Sequence, residues 1–260
     1  MIGYAVWVLV GIALAAVAAR WQHRLPAGAG ATVLPPHVRS ALLLCAIGGA
    51  ILGAYGLQLP ADLLGWAAPP PPGVAIPDQL PMGGRTVLGG LLGGWLGVEV
   101  GKRLASVRGP TGDTFALPLA VALLCGRFGC AAAGCCAGVE CAPGWWAATD
   151  ALGAARVPVQ LLEAAFHALA AVLLAIAARR GVQNGRRLAI YLSAYAVVRF
   201  ALEFWRLNPP VALGLSWHQF LALALLALAG GTWWRRAAQR PPSPVSPTPA
   251  GGVVTSSGAK

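Results

Sequence analysis

A chain of 260 residues that is 57% hydrophobic and only 10% charged is too apolar for a soluble domain, where about a quarter of residues carry charge. With a mean hydropathy of +0.68, it reads as an integral membrane protein with little room for a soluble domain. The net charge of +11 could serve nucleic acid, but its placement along the chain argues for topology instead.

A helix needs about 20 mainly apolar residues to cross a bilayer. Seven segments qualify, near residues 2–19, 40–59, 85–101, 114–131, 157–178, 188–205 and 215–234. The first is long enough to span and has no basic stretch before it, so it does not read as a cleavable signal. Arg20, Arg24 and Arg39 follow span one, and Lys102, Arg103 and Arg108 follow span three. Arg179, Arg180, Arg186 and Arg187 follow span five, and Arg235, Arg236 and Arg240 follow span seven. The other connections are poor in basic residues: 60–84 holds Asp62 and Asp78, the next holds Glu140, Asp150 and Arg156, and the last has only Arg206. Basic residues favour the cytoplasmic side of short loops. The alternation predicts an all-α, seven-span protein with its N-terminus outside and its C-terminus inside. The charge then faces anionic lipid of the inner leaflet rather than nucleic acid. The proline-rich stretch 60–84 reads as a stiff external loop. Residues 1–235 form the membrane domain, and 236–260 read as a disordered cytoplasmic tail.

Span three carries Gly89, Gly93, Gly97 and Gly101 at four-residue spacing, with Gly90 and Gly94 as a second row. Such rows let helices approach closely in lipid, and helix packing suffices to explain them. Arg127 ends span four, where it either snorkels to the interface or recognises a phosphate or carboxylate. In span six, Tyr195, Arg199, Glu203 and Arg206 share one face. An intramembrane Arg one turn from a carboxylate is a structural pair or part of a substrate path, and the second reading is favoured. Gln160 and Glu163 share a face at the start of span five, as a helix-dipole complement or as site members. Ser216, His218 and Gln219 open span seven, where His218 reads as an interface residue.

Five of the six cysteines lie between Cys125 and Cys141. At an external surface a disulfide within this loop is the favoured reading. A redox-active or nucleophilic thiol beside Arg127 is an alternative. Zinc is weaker, because the spacing has no C-x-x-C pair and no nearby His.

Five motifs in order resemble the prolipoprotein diacylglyceryl transferase family. They are Gly-Gly-Arg-Thr-Val-Leu-Gly-Gly-Leu-Leu-Gly (83–93), Gly-Arg-Phe-Gly-Cys (126–130) with Gly134 and Gly138, and Pro-Val-Gln-Leu-Leu-Glu (158–163). Tyr-x-x-x-Arg-Phe-x-x-Glu-x-x-Arg (195–206) and Gly-Leu-Ser-x-x-Gln (214–219) complete them. The resemblance implies transfer of diacylglycerol from phosphatidylglycerol, an anionic phospholipid, to a cysteine thiol of a lipoprotein precursor. It places the protein in the bacterial cytoplasmic membrane and requires no cofactor or metal. It implies that Arg127 and Arg199 hold the lipid phosphate and that Tyr195 and Glu203 act with them. Gly89, Gly90, Gly129, Cys130, Cys135, Gly138, Gln160, Glu163, Arg206 and Gln219 become substrate-binding positions. Three positions depart from the family pattern. Leu88 stands where the family's glycine motif has a His, and Cys130 and Cys135 replace an Asn and a Glu. A divergent transferase with an altered acceptor, a lipid-binding protein without transfer, and a thiol–disulfide protein remain open readings.

Overall fold

The computed structural model describes residues 2–25, 34–67, 86–150 and 152–238. The prolines at 69–72, 77 and 81, the motif residues Gly83 to Arg85 and the tail beyond 238 lie outside the described residues. The helices are α1 (Ile2–His23), α2 (Pro36–Gly56), α3 (Leu59–Leu63), α4 (Val87–Leu104), α5 (Asp113–Ala132), α6 (Val159–Arg179), α7 (Arg187–Leu202) and α8 (Trp217–Ala238). A single 3₁₀ turn, Glu203–Trp205, continues α7. The all-helical expectation needs one amendment, because two short antiparallel ribbons lie in the connections. They are β1 (Ala148–Thr149) with β2 (Ala155–Arg156), and β3 (Pro210–Ala212) with β4 (Leu215–Ser216).

Among the described residues a long helix lies at each of the seven expected apolar segments. Among the described residues, five stretches are long and apolar enough to cross a membrane: Gly3–His23, Pro36–Leu63, Asp113–Ala132, Val159–Arg179 and Arg187–Trp205. The other two long helices are more polar. α4 carries Glu99, Lys102 and Arg103; α8 opens on Trp-His-Gln and carries Thr-Trp-Trp-Arg-Arg in its last two turns.

Contacts at the two ends give the helices alternating direction. At one end the Trp217 indole donates to Leu57 O (2.7 Å), Thr86 N donates to Ala54 O (3.2 Å), and Gly3 sits beside Ala132. At the other, Gln22 donates to Asp113 O (2.7 Å) and Arg179 lies over Trp21. The Asp113 carboxylate there accepts from the Gly185 (2.5 Å) and Arg187 (2.9 Å) amides at the start of α7. Orphan amides of a helix N-terminus need such an acceptor, so this residue ties α7 to the base of α5. The expected basic connections gather at this second end, and the connections containing 133–158 and 206–216 lie at the first.

The glycine rows of α4 pack on α2. A Cβ on Gly53 would come within 2.8 Å of the Gly93 Cα, and one on Gly49 within 3.0 Å of the Gly97 Cα. Only the missing side chains let these backbones meet, which is how small residues bind helices where lipid removes the hydrophobic driving force. Leu88 is buried in an apolar cluster with Leu117, Tyr191, Leu192, Tyr195 and Leu225, drawn from α4, α5, α7 and α8.

Candidate anion site

Where α5, α6, α7 and the start of α8 meet at the loop end, five charged side chains converge away from water. Arg127 is delivered by the last turns of α5, and Glu163 by the second turn of α6. Arg199 comes from α7, Glu203 from the following 3₁₀ turn, and Arg206 from just beyond it. The Arg127 Nη2 lies 2.5 Å from Glu163 Oε2 and donates to the Tyr195 hydroxyl (3.2 Å), which itself donates to the same carboxylate oxygen (2.9 Å). Arg199 pairs with Glu203 one turn on, and its Nε stands 3.8 Å from Glu163 Oε1. The Arg206 Nε is 3.8 Å from Glu203 Oε2. Both carboxylates are essentially unexposed, at 0% for Glu163 and 1% for Glu203.

Three guanidiniums against two carboxylates leave one net positive charge in a place with little water to screen it. Burying an ion costs several kcal/mol unless partners compensate. The carboxylates satisfy most of this demand, and the surplus charge is the feature that suits an anion. Two buried acceptors point the same way: Gln160 Oε1 and Glu163 Oε1 have no hydrogen-bond partner among the described residues. They can accept from hydroxyl groups of a bound molecule.

Several neighbours were not assigned here from sequence. Glu203 Oε1 accepts from Asn208 Nδ2 (2.5 Å) and Ser216 Oγ (3.0 Å), and His218 Nδ1 stands 3.6 Å from it. His218, expected at an interface, is buried in the site. Its Nε2 lies 3.2 Å from Gln58 Oε1, and the Gln58 amide nitrogen donates to Asp62. Oε1 is therefore the acceptor, and Nε2 is assigned as the donor. His167 packs its ring 4.8 Å from that of Tyr195 and bonds the Tyr191 hydroxyl at 2.9 Å. Only the Ser-x-x-Gln spacing before α8 was a signal for Ser216. It forms a capping box: Gln219 Oε1 accepts from Ser216 N (2.9 Å), and Ser216 Oγ accepts from Gln219 N (3.3 Å). Gln219 thus fixes the start of α8, which carries His218.

Other expected site residues take different places. Gly89 and Gly90 lie in the α2–α4 contact, Gly89 against Gly53 and Gly90 beside Ala50 and Ala54. Gly129 faces α1, where a Cβ would meet the Tyr4 ring at 3.1 Å and Trp7 at 3.2 Å. Gly138 lies where its segment crosses Val157 and Val159; a Cβ there would stand 2.9 Å from the Val159 Cγ2. That segment hydrogen-bonds Val157 O and Trp205 O through the Gly138 and Val139 amides. Arg156 fixes the same layer by bonding Asp150 (2.6 Å) and Glu140 (3.2 Å). Its hydrogen bond holds the Asp150 carboxyl below the usual aspartate range.

The cysteines correct an expectation. All six are free thiols, so the disulfide preferred from sequence is not present. Instead the sulfurs of Cys130, Cys135 and Cys136 lie within 4.8 Å of one another. Adjacent sequence positions and a helix end bring three thiols together where the spacing had suggested a bridge. Hydrogen bonds from the Cys130 and Cys135 thiols, helped by Arg206 and Arg127, draw the Cys136 thiol well below its ordinary range.

With this geometry in place, the comparisons with known proteins decide the family. The model of the prolipoprotein diacylglyceryl transferase family matches residues 1–235. The chain belongs to this family. A phosphatidylglycerol–prolipoprotein diacylglyceryl transferase 2 of Clostridium perfringens is 30% identical over 154 residues, covering 55% of this chain and 59% of that protein. A phosphatidylglycerol–prolipoprotein diacylglyceryl transferase of Dehalococcoides mccartyi is 29% identical over 153 residues, covering 56% and 59%. The chain spans about three fifths of the length of the curated relatives it matches. Family membership and the apolar helices make this a multi-pass membrane protein of a transferase family.

Proposed function

We propose that this protein transfers the diacylglyceryl group of phosphatidylglycerol to a cysteine thiol of a lipoprotein precursor. It does so at the outer face of the bacterial cytoplasmic membrane, with seven spans, the N-terminus outside and the C-terminus inside. The observation that carries this reading is the buried surplus of positive charge made by Arg127, Arg199 and Arg206 over Glu163 and Glu203. Fixed guanidiniums in a site of low dielectric stabilise a departing phosphate better than mobile water does. Arg127 and Arg199 clamp the phosphate, Glu203 and Tyr195 hold the arginines in place, and Arg206 completes the cluster. The headgroup hydroxyls donate to Gln160 Oε1 and Glu163 Oε1, which accept no hydrogen bond among the described residues. An apolar groove of about 210 Å³ between α6 and α7, lined by Leu169, Leu173, Ile190 and Tyr191, takes an acyl chain. Phe166 in its wall stacks on both Tyr191 and Tyr195, which connects groove to cluster. The topology rests on the gathering of basic connections at the end opposite the cluster.

Removal of the acceptor thiol's proton is where this chain departs from the family pattern. Leu88 is 1% exposed among apolar neighbours and can move no proton. That favours a second reading, a phospholipid-binding protein without transfer. The two separate in one experiment on membranes carrying the protein. Movement of labelled diacylglyceryl onto a lipobox peptide, lost in Arg127→Ala and Arg199→Ala, supports the transferase. Co-purified phosphatidylglycerol with no transfer supports the binder, and transfer indifferent to both substitutions contradicts the assigned site.

A further inference from the structure

The thiols beside the arginine cluster do more than replace the family's polar residues. We propose that Cys130, Cys135 and Cys136 form a zinc site with three thiolate ligands, whose fourth position receives the acceptor thiol. The three sulfurs, all within 4.8 Å of one another, need only a small inward movement. Zn–S bonds of about 2.3 Å in a tetrahedron place sulfurs roughly 3.8 Å apart. The backbone is arranged for this. Cys130 lies in the last turn of α5, and Gly134 reverses the chain at φ 67°. The Cys135 amide then bonds back to Cys130 O (3.1 Å). Cys136 sits in the left-handed region at φ 64°, which is uncommon for a residue with a side chain and persists where its surroundings hold it. Arg206 holds it by donating to Cys136 O (3.4 Å).

The donor set selects the ion. Thiolates prefer zinc or monovalent copper over magnesium or calcium. Structural zinc is closed by four protein ligands, whereas three protein ligands with one open position mark a site that takes water or substrate. All three residues are half-buried rather than sealed, so an ion and a peptide thiol have access. Three thiolates and one Zn²⁺ carry a net charge of −1, and Arg127, one turn before Cys130, and Arg206, which bonds Cys136 O, lie beside it.

The chemistry rests on the transferase reading above. The acceptor thiol binds the zinc and releases its proton to water, so it is nucleophilic at neutral pH without a base at Leu88. Its sulfur forms a bond to the glyceryl carbon as that carbon's bond to the phosphate oxygen breaks. The electron pair leaves on glycerol phosphate, held by the arginines, and the thioether product is a weak ligand that departs.

The test uses the full chain, reduced and purified in detergent, with zinc and cobalt as probes. Zinc at about one ion per chain is expected, retained in Cys141→Ser and lost in the triple variant C130S/C135S/C136S. Bound Co²⁺ should show thiolate charge-transfer and tetrahedral ligand-field bands that shift on adding a cysteine peptide and not its serine analogue. Should the triple variant misfold, zinc in the wild type should protect Cys130, Cys135 and Cys136, but not Cys141, from alkylation mapped by mass spectrometry. Zinc content no higher than in the triple variant, or equal labelling with and without zinc, overturns the site. A cobalt spectrum blind to the peptide overturns the open position. Full transfer by zinc-stripped protein overturns its catalytic role. None of the metal readouts depends on transfer, so a protein that binds zinc and thiol yet leaves phosphatidylglycerol intact upholds the site while ending the transferase reading.

Discussion

The α2–α4 contact and the cluster at the loop end solve one problem, holding helices together where water is scarce, in opposite ways. The first uses bare backbone: Gly49 and Gly53 meet Gly93 and Gly97 with no polar side chain between them. The second crowds three guanidiniums and two carboxylates among α5, α6 and α7. Packing alone could be had from alanine and leucine, since replacing buried ion pairs with apolar groups is often neutral or stabilising. The difference marks one region as framework and the other as a place where charge is kept for a ligand. Substitutions in the two regions should therefore fail differently.

The largest effect is expected at the cluster. Arg199→Ala should lower diacylglyceryl transfer by at least about a hundredfold, the scale for losing one fixed donor to a developing charge. Arg199→Lys keeps the charge but loses the planar fork that spans Glu163 and Glu203. It should stay folded, by thermal unfolding in detergent, yet transfer poorly. Full activity in the lysine variant would reduce Arg199 to a point charge. Gly93→Leu should show the reverse pattern. Overpacking costs about 1–3 kcal/mol or more, so unfolding temperature and membrane yield fall while surviving molecules keep their activity per mole. A Gly93→Leu protein as stable as wild type would break the framework assignment.

Smaller effects sharpen the same contrast. Tyr195→Phe removes the hydroxyl between Arg127 and Glu163. Losing a hydrogen bond to a charged group, about 1.5–3 kcal/mol, should reduce transfer at least tenfold, with a lesser change in unfolding temperature than Gly93→Leu. The smallest effect belongs to the loop layer. Arg156 lowers the Asp150 carboxyl below its unfolded value of 3.8. A depressed carboxylate contributes its full stabilisation above the unfolded value and loses it as pH falls below that value toward its folded one. Amide exchange across 148–156 should thus show protection that is flat above pH 4 and declines below it. Asp150→Asn should lose that decline.

Much of the framework was legible because lipid imposes strict rules. Among the described residues each apolar segment holds a helix, five of them long and apolar enough to cross a membrane, and the spacing of Arg199 and Glu203 foretold their pairing one turn apart. Contacts between helices were hidden. No spacing relates Arg127 to Glu163 or places Tyr195 on both, because α5, α6 and α7 bring them together only when packed. His218 reads from sequence as an interface residue, and its position facing Glu203 follows from the capping box and from Gln58 on the distant α2–α3 turn. The thiol cluster was misread as a disulfide because the gathering of Cys130, Cys135 and Cys136 depends on two left-handed backbone positions that cysteine spacing does not reveal. The ribbons were missed because strands of two or three residues carry too little alternation to register.

The central claim is that Arg127 and Arg199 hold the phosphate of an anionic phospholipid. Native mass spectrometry of the detergent-purified protein, after exposure to equimolar phosphatidylglycerol and phosphatidylcholine, tests it without requiring turnover. The wild type should retain phosphatidylglycerol in preference, and the preference should vanish in R127Q/R199Q while the protein remains folded. Equal retention of phosphatidylglycerol by the wild type and the double variant would contradict the claim.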